Sequence, residues 1–366
     1  MRNFSQAKRV VVKIGTNLLA DEEGVDESFL TEIARQLAGL RQRGLQLILV
    51  SSGAIGMGAK ELRLEGGVSQ IEMRQACAAI GQPLLMQAYR TAFMALGIPV
   101  AQVLLTSEVL NKRQSYLNLR NSVETLLDLD VLPIVNENDS VSTKEIGTAF
   151  GDNDRLSALI ASKIDADLLI LLTDIDALYD ADPRKERDAK PLDLVPELTE
   201  EIMAAAGAAG SVFSTGGMRT KLEAVKIARR AGCRTVLAHG KGDEVLKRII
   251  EGEKIGTLFL AKDRLKNRKR WILHSRSEGS ITIDEGAFEA ICAHKSLLPK
   301  GLVAVEGEFP AGAVVQVNGR AKIVSNFSSQ ELELLIGRHS SQIDEILGRS
   351  KPAVIARPEE TVFFDE

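Results

Sequence analysis

The sequence is poor in histidine, cysteine and aromatic residues, and each shortage removes a class of chemistry. It has only 4 histidines, and His239, His274, His294 and His339 all stand apart from the glycine-rich loops. Imidazole acid–base catalysis and histidine-ligated metal sites are therefore not expected. Cys77, Cys233 and Cys292 are widely separated and form no CxxC pair, which argues against a disulfide framework or a thiolate metal site. A reducing cytoplasm is the expected compartment. With aromatics at 4%, any core must be aliphatic. No stretch approaches the roughly 18 consecutive apolar residues of a membrane span. The N-terminus reaches Lys8-Arg9 without the apolar region of a secretory leader. A net charge of -4 offers no general attraction to nucleic acid or anionic lipid.

What is present is ordinary globular composition, 45% hydrophobic and 26% charged, in a chain of 366 residues. That length favours two domains. Near-continuous aliphatic runs recur at 9–14 (RVVVKI), 45–50 (LQLILV), 131–135 (VLPIV), 167–172 (DLLILL) and 234–238 (RTVLA). Strands buried on both faces of a parallel sheet have this texture. Helical patterns lie between them, such as MRTKLEAVKIARRAG, with Gly232 as the stop. The alternation predicts a three-layer αβα sandwich around a mainly parallel sheet. After Phe259-Leu260 the basic, non-periodic AKDRLKNRKRW reads as a linker. Short alternating strands with glycine-rich turns follow, predicting a small, mainly β domain. The expected boundaries are 1–262 for the α/β domain, 263–275 for the linker and 276–366 for the β domain. Residues 276–366 carry 9 Lys+Arg against 14 Asp+Glu, a net of -5, whereas 1–275 carry 37 against 36.

In an open parallel sheet, ligands bind beyond the carboxyl ends of the strands. Lys13 and Gly15 close the first run, Ser51-Ser52-Gly53 follows the second, Asn136 to Asp139 follow VLPIV, and Thr173-Asp174 follow DLLILL. An ammonium at the end of a valine-rich strand is costly to desolvate unless an anion meets it, so Lys13 either meets a phosphate or snorkels to solvent. Gly53, Gly56 and Gly58 either cradle an anion through bare amides or allow a tight, closely packed strand-to-helix turn. STGGMRTK opens a helix with glycines, and Lys221 either joins Lys13 on one phosphate or is an ordinary exposed helical lysine. FGDNDRLSA, at 150–158, packs helix-averse polar residues before Leu156, Leu159, Ile160 and Ile164, the spacing of a helix burying one face. One residue caps the helix; the surplus carboxylate calls for another role.

VVVKIGTN, VSSGAIGMG, VLPIVNENDSVST, FGDNDRLSA, LLTDIDALYDADPR, STGGMRTK and NRKRWI occur in one order along nearly the whole chain. Together they resemble the glutamate 5-kinases, an amino acid kinase fold followed by a PUA domain. The resemblance implies ATP-dependent phosphorylation of the L-glutamate side-chain carboxylate, the first step of proline biosynthesis. It implies that Lys13 and Lys221 clamp the transferred phosphoryl group and that Asp154 orients them. Ser52, Gly53, Asn136, Asp139 and Asn153 would hold glutamate, with Asp139 suited to its α-ammonium. Lys13, Gly15, Thr173, Asp174, Thr215, Gly216, Gly217, Met218, Arg219, Thr220 and Lys221 would line the ATP site. Mg²⁺ would ride on ATP phosphates and water, with no dedicated protein metal site. Feedback inhibition by proline, a homo-oligomer (dimer or tetramer) and transient contact with glutamyl phosphate reductase belong to the same expectation. One departure is Ser214, where the family commonly has glycine.

A carboxylate at a helix start repels a phosphate bound there. The helix after FGDND should thus face the acceptor and the lysines, leaving STGGMRTK to ATP. Related kinases of this fold act on aspartate, N-acetylglutamate, carbamate or UMP, but an acidic Asp139 beside Asn136 favours a free amino acid. RNA binding, suggested by the PUA resemblance and the basic KNRKR at 266–270, is not expected, because 276–366 is net acidic.

Overall fold

Strand β1 (Arg9–Ile14) is valine-rich and buried from Val10 to Ile14, and the larger sheet is built outward from it. The computed structural model describes residues 2–19, 25–64, 68–106, 109–110, 113–141, 153–181, 186, 188–207, 217–262, 265–348 and 352–364. The chain forms two compact units, Met1–Leu110 with Gln114–Arg264, and Asn111–Arg113 with Leu265–Glu366.

In the first unit, β1 is followed by a short helical turn (Thr16–Leu19), helix α1 (Glu27–Gln42), β2 (Gln46–Val50), α2 (Ala54–Glu61), α3 (Ile71–Met94) and β3 (Val100–Leu105). Then come α4 (Arg113–Asp128), β4 (Leu132–Glu137), α5 (Asn153–Lys163), β5 (Leu168–Thr173) and β6 (Leu194–Val195). Helices α6 (Glu200–Gly207) and α7 (Met218–Arg230), strand β7 (Arg234–His239), α8 (Val245–Ile250) and β8 (Thr257–Phe259) complete it. The eight strands lie in the order β3-β4-β2-β1-β5-β7-β8-β6. Every pair is parallel except β7 with β8. All five aliphatic runs are strands of this sheet; β3, β6 and β8 were not among them.

Successive side chains of a strand point to opposite faces. Val10, Val12 and Ile14 accordingly join one core with α1 and α3, while Val11, Ile48 and Val50 join a second with α5 and α7. The result is the expected three-layer arrangement. From β1 the chain moves to one side through β2 and returns on the other through β5, so the strand order reverses beside β1. The register aligns Lys13 with Val50 on one side and Leu171 on the other. The carboxyl ends of β4, β2, β1 and β5 therefore lie side by side.

Helix α5 departs from its expected single buried face: every residue from Asn153 to Lys163 except Arg155 is buried. The helix packs against β1, β2, β4 and β5 and also against α7. Ser157, Ala158, Ala161 and Ser162 are small enough to let both neighbours approach.

In the second unit, helix α9 (Asn267–His274) lies within the stretch expected as a linker. Trp271, Ile272 and Leu273 are buried in it, and so is Arg270. The basic residues hid a short apolar segment. Strands β9 (Gly279–Ile283), β10 (Leu302–Glu306), β11 (Val314–Val317), β12 (Ala321–Val324) and β13 (Thr361–Phe363) form a sheet ordered β10-β9-β11-β12-β13. Its β11–β12 hairpin turns through Asn318 and Gly319, both at positive φ (48° and 67°). The loop is three residues, Asn318 to Arg320, between the paired Val317 and Ala321, and the two left-handed residues let it turn that tightly. A separate aliphatic core with Phe288, Phe309 and Phe327 fills this unit.

Candidate active site

Two helix N-termini meet the strand ends. Asp154 is the second residue of α5, Lys221 the fourth of α7, and the packing of those helices brings them together over the end of β1. Asp154 Oδ1 lies 2.6 Å from Lys13 Nζ and Asp154 Oδ2 lies 3.2 Å from Lys221 Nζ. All three side chains are almost fully buried, with 6%, 7% and 1% of the Lys13, Lys221 and Asp154 side chains exposed. Of the readings left open for the two lysines, solvent snorkelling and an exposed helical position are both excluded. The pairing holds both ammoniums at the carboxyl end of β1, and burial of charged groups there is costly unless each is matched by an opposite charge.

Gly15 lies between this charge and the end of β5. Its amide donates to Leu172 O at 3.0 Å, and a Cβ placed on it would stand 3.8 Å from Lys13 Nζ. The tight neighbour of that Cβ would be the backbone of β5, with Leu172 O at 3.2 Å. Next to it, Asp174 accepts from Asn17 Nδ2 at 2.8 Å and from Thr173 Oγ1 at 2.9 Å. Burial pushes the Asp174 carboxyl up, but those two hydrogen bonds and the Lys221 charge outweigh it and hold the pKa below the usual value. Gly217 caps α7 in extended conformation without a side chain over the helix end. Within that first turn Thr220 Oγ1 donates back to Gly217 O at 2.7 Å. Met218 packs partly against the core, and Arg219 is exposed. Thr215 and Gly216, together with Asp152 and Ser214, fall outside the described residues.

On the other side of Asp154 is a buried amide network. Asn153 Nδ2 donates to Ser51 O at 2.6 Å, Asn136 Oδ1 at 2.9 Å and Ser52 Oγ at 3.0 Å. Asn136 Oδ1 also accepts from Glu137 N at 2.9 Å, and Asn136 Nδ2 donates to Gln82 Oε1 at 2.7 Å. Asp139, half-buried beyond β4, has its carboxyl raised by desolvation, an effect partly offset by the charge of Arg74. The expected acceptor residues Ser52, Asn136 and Asn153 are thus joined directly, with Asp139 three residues beyond Asn136.

The glycines after β2 serve packing as well as the turn. Gly53 takes φ 96° as the N-cap of α2. A Cβ on Gly58 would lie 1.8 Å from Cys77 O, and one on Gly81 1.8 Å from Ala54 O. So α2 and α3 touch backbone to backbone, the close-packing alternative.

Two partners were missed by sequence reasoning. Asn17 follows Gly15-Thr16 inside a motif already singled out, and nothing about its spacing indicates Asp174. Gln82 left a signal: it is the polar member of an otherwise apolar stripe on α3, Ala78, Leu85, Tyr89 and Phe93, all buried.

A buried lysine–carboxylate–lysine centre flanked by a buried amide network at the strand ends is an arrangement of the kind phosphotransferases use. Residues 8–239 match the amino acid kinase family and residues 279–347 match the PUA domain. The chain belongs to the amino acid kinase family, with a PUA domain following. Among its curated relatives are the glutamate 5-kinases of Methanosarcina acetivorans, 46% identical over 94% of this chain and 93% of theirs, and Geobacter metallireducens, 45% identical over 96% and 99%. The fold is also similar to that of UMP kinase from Bacillus anthracis, with 16% identity and a TM-score of 0.49 over 71% of this chain and 98% of that one.

Proposed function

We propose that this chain transfers the γ-phosphoryl group of ATP to the side-chain carboxylate of L-glutamate, giving L-glutamyl 5-phosphate, the first step of proline biosynthesis. The observation that carries this reading is Asp154 holding Lys13 and Lys221 at 2.6 and 3.2 Å in a buried cluster at the strand ends. A carboxylate oxygen of glutamate attacks the γ-phosphorus while the bond to the β–γ bridging oxygen breaks and ADP leaves. The nucleophile is already ionised at neutral pH, since a glutamate side chain titrates near 4.3, so no general base is needed. Positioning and charge neutralisation remain, as in other phosphoryl transfers. Lys13 and Lys221 neutralise the transferred group, and Asp154 keeps both ammoniums aimed at it. Gly15, Thr173, Asp174 and the segment from Thr215 to Lys221 take ATP. Ser52, Gly53, Asn136, Asp139 and Asn153 take the amino acid.

Mg²⁺ would be carried by the ATP phosphates and water rather than by a dedicated protein site, and would supply charge neutralisation there. Residues 1–262 form the catalytic domain and 276–366 the PUA domain. In keeping with the family resemblance, the enzyme is cytoplasmic, homo-oligomeric and restrained by proline, and it makes transient contact with glutamyl phosphate reductase. Incubation with ATP, Mg²⁺, L-glutamate and hydroxylamine is expected to yield γ-glutamyl hydroxamate. Product formed with aspartate or UMP but not with glutamate would overturn the substrate assignment.

A further inference from the structure

The amide network beside Asp154 has a polarity fixed by two backbone groups. Ser51 O can only accept, so Asn153 must turn its NH₂ toward it at 2.6 Å. Glu137 N–H can only donate, so Asn136 must present Oδ1 to it. The NH₂ of Asn136 then faces α3, and Gln82 must answer with Oε1 at 2.7 Å. The orientation of Gln82 therefore follows from the network rather than from choice of amide rotamer.

Gln82 is expensive where it stands. It sits on the buried stripe of α3 between Ala78 and Leu85. Its Nε2 is buried without a hydrogen-bond partner among the described residues, as is Asn153 Oδ1. An unsatisfied buried amide group destabilises the fold, and an apolar side chain of similar size would avoid that cost. Packing alone does not explain a glutamine here; its bond to Asn136 does. If that bond is lost, Asn136 Nδ2 becomes an orphan donor and relaxes, taking with it the Asn153 amide bonded to its Oδ1.

We propose that Gln82 is a positioning residue for the acceptor substrate, acting through Asn136 and Asn153. With one hydrogen of Asn136 Nδ2 held by Gln82, a second amide hydrogen and the open Asn153 Oδ1 form a donor–acceptor pair. That pair suits a zwitterion, whose carboxylate accepts and whose ammonium donates. Arg74, eight residues earlier on α3 and thus about two turns away on a similar side, acts on Asp139. Helix α3 is then a wall of the amino-acid pocket rather than only a packing partner of α2. This inference rests on the acceptor-site reading above.

The test is steady-state kinetics on the full chain with two substitutions. Gln82→Met keeps length but removes the acceptor; Gln82→Asn keeps the amide but is one methylene too short to reach. Both are expected to raise KM for glutamate about tenfold, the scale of one orphaned buried donor, with KM for ATP and the melting temperature near wild type. Gln82→Glu, which still offers an oxygen to Asn136, is expected to recover most of the loss. Glutamate KM unchanged in Met and Asn variants would overturn the proposal. So would a parallel rise of both KM values with a fall in melting temperature, or a Glu variant no better than Met. Should the wild type prefer another acceptor, the functional reading fails separately, and KM for that acceptor is the value the same variants must raise.

Discussion

At the scale of single residues, the site depends on desolvated charge. Lys221 is buried and held by Asp154, which on the proposed reading preorganises its ammonium for charge that develops on the phosphoryl group. Lys221→Ala is expected to lower kcat by about 10²–10³-fold, the effect of removing one such stabilising group. A near-normal kcat in single-turnover or steady-state assays would reject that role. Asp139, on the proposed reading a glutamate contact, carries a stability cost. Burial raises its carboxyl pKa, with Arg74 partly opposing. A folded pKa above the unfolded value means the native state binds more protons in that interval, so its contribution to stability falls as pH rises through it. Asp139→Asn removes the cost of the buried anion. At neutral pH it is expected to match or exceed the wild-type melting temperature while raising KM for glutamate. A melting temperature well below wild type would contradict the sign.

At the scale of elements, helix packing and capping set where these residues go. The α2–α3 contact tolerates no side chain at Gly58, where a Cβ would meet Cys77 O at 1.8 Å. Gly58→Ala is expected to cost about 3 kcal/mol, the upper end of overpacking. Gly56→Ala, with nothing within 4 Å of its Cβ, is expected to gain about 0.5–1 kcal/mol from helix propensity. Denaturant unfolding of the pair reads the contrast directly, and equal stabilities would refute backbone contact as the reason for Gly58. Helix α1 is capped by Asp26, whose carboxylate accepts from Phe29 N at 2.9 Å, Ser28 Oγ at 2.7 Å and Lys241 Nζ at 2.9 Å. Although burial pushes its pKa up, these partners pull it down to about 2. A depressed carboxylate stabilises fully above its unfolded pKa near 3.9 and loses that contribution as pH falls toward 2. Asp26→Ala is expected to cost about 1 kcal/mol at pH 7, and wild type and variant should converge in thermal melts as pH drops through that window. Elements were the most legible feature of the sequence. The aliphatic runs located five strands because parallel strands are apolar on both faces, but α5 concealed its full burial. Serine and alanine on its far side carry no hydrophobic signal, although their small size is what admits α7.

At the scale of the whole molecule, every described site residue, from Lys13 to Lys221, belongs to the first unit, while the second has its own core. A chain ending at residue 264 is expected to keep glutamate-dependent phosphorylation, which hydroxamate formation measures. A folded but inactive truncation would place part of the catalytic requirement in the PUA domain. Residues 276–366 carry a net charge of -5. The full chain is therefore expected to show no retention of RNA in filter binding at physiological salt.

The sequence by itself determined the alternation of strands and helices, the polar and glycine residues at strand ends, and the family. These are local patterns, written by periodicity and by short motifs in order. It also supplied Lys13, Asp154 and Lys221 as separate candidates, each with an ordinary alternative. Only the tertiary structure decided among those alternatives. Burial and a 2.6 Å contact depend on α5 and α7 packing together over β1, a relation between segments far apart in the chain. The same holds for Gln82, whose partner Asn136 is 54 residues away. A hydrogen bond across that separation leaves no period in the sequence, only one polar residue on a stripe that is otherwise apolar.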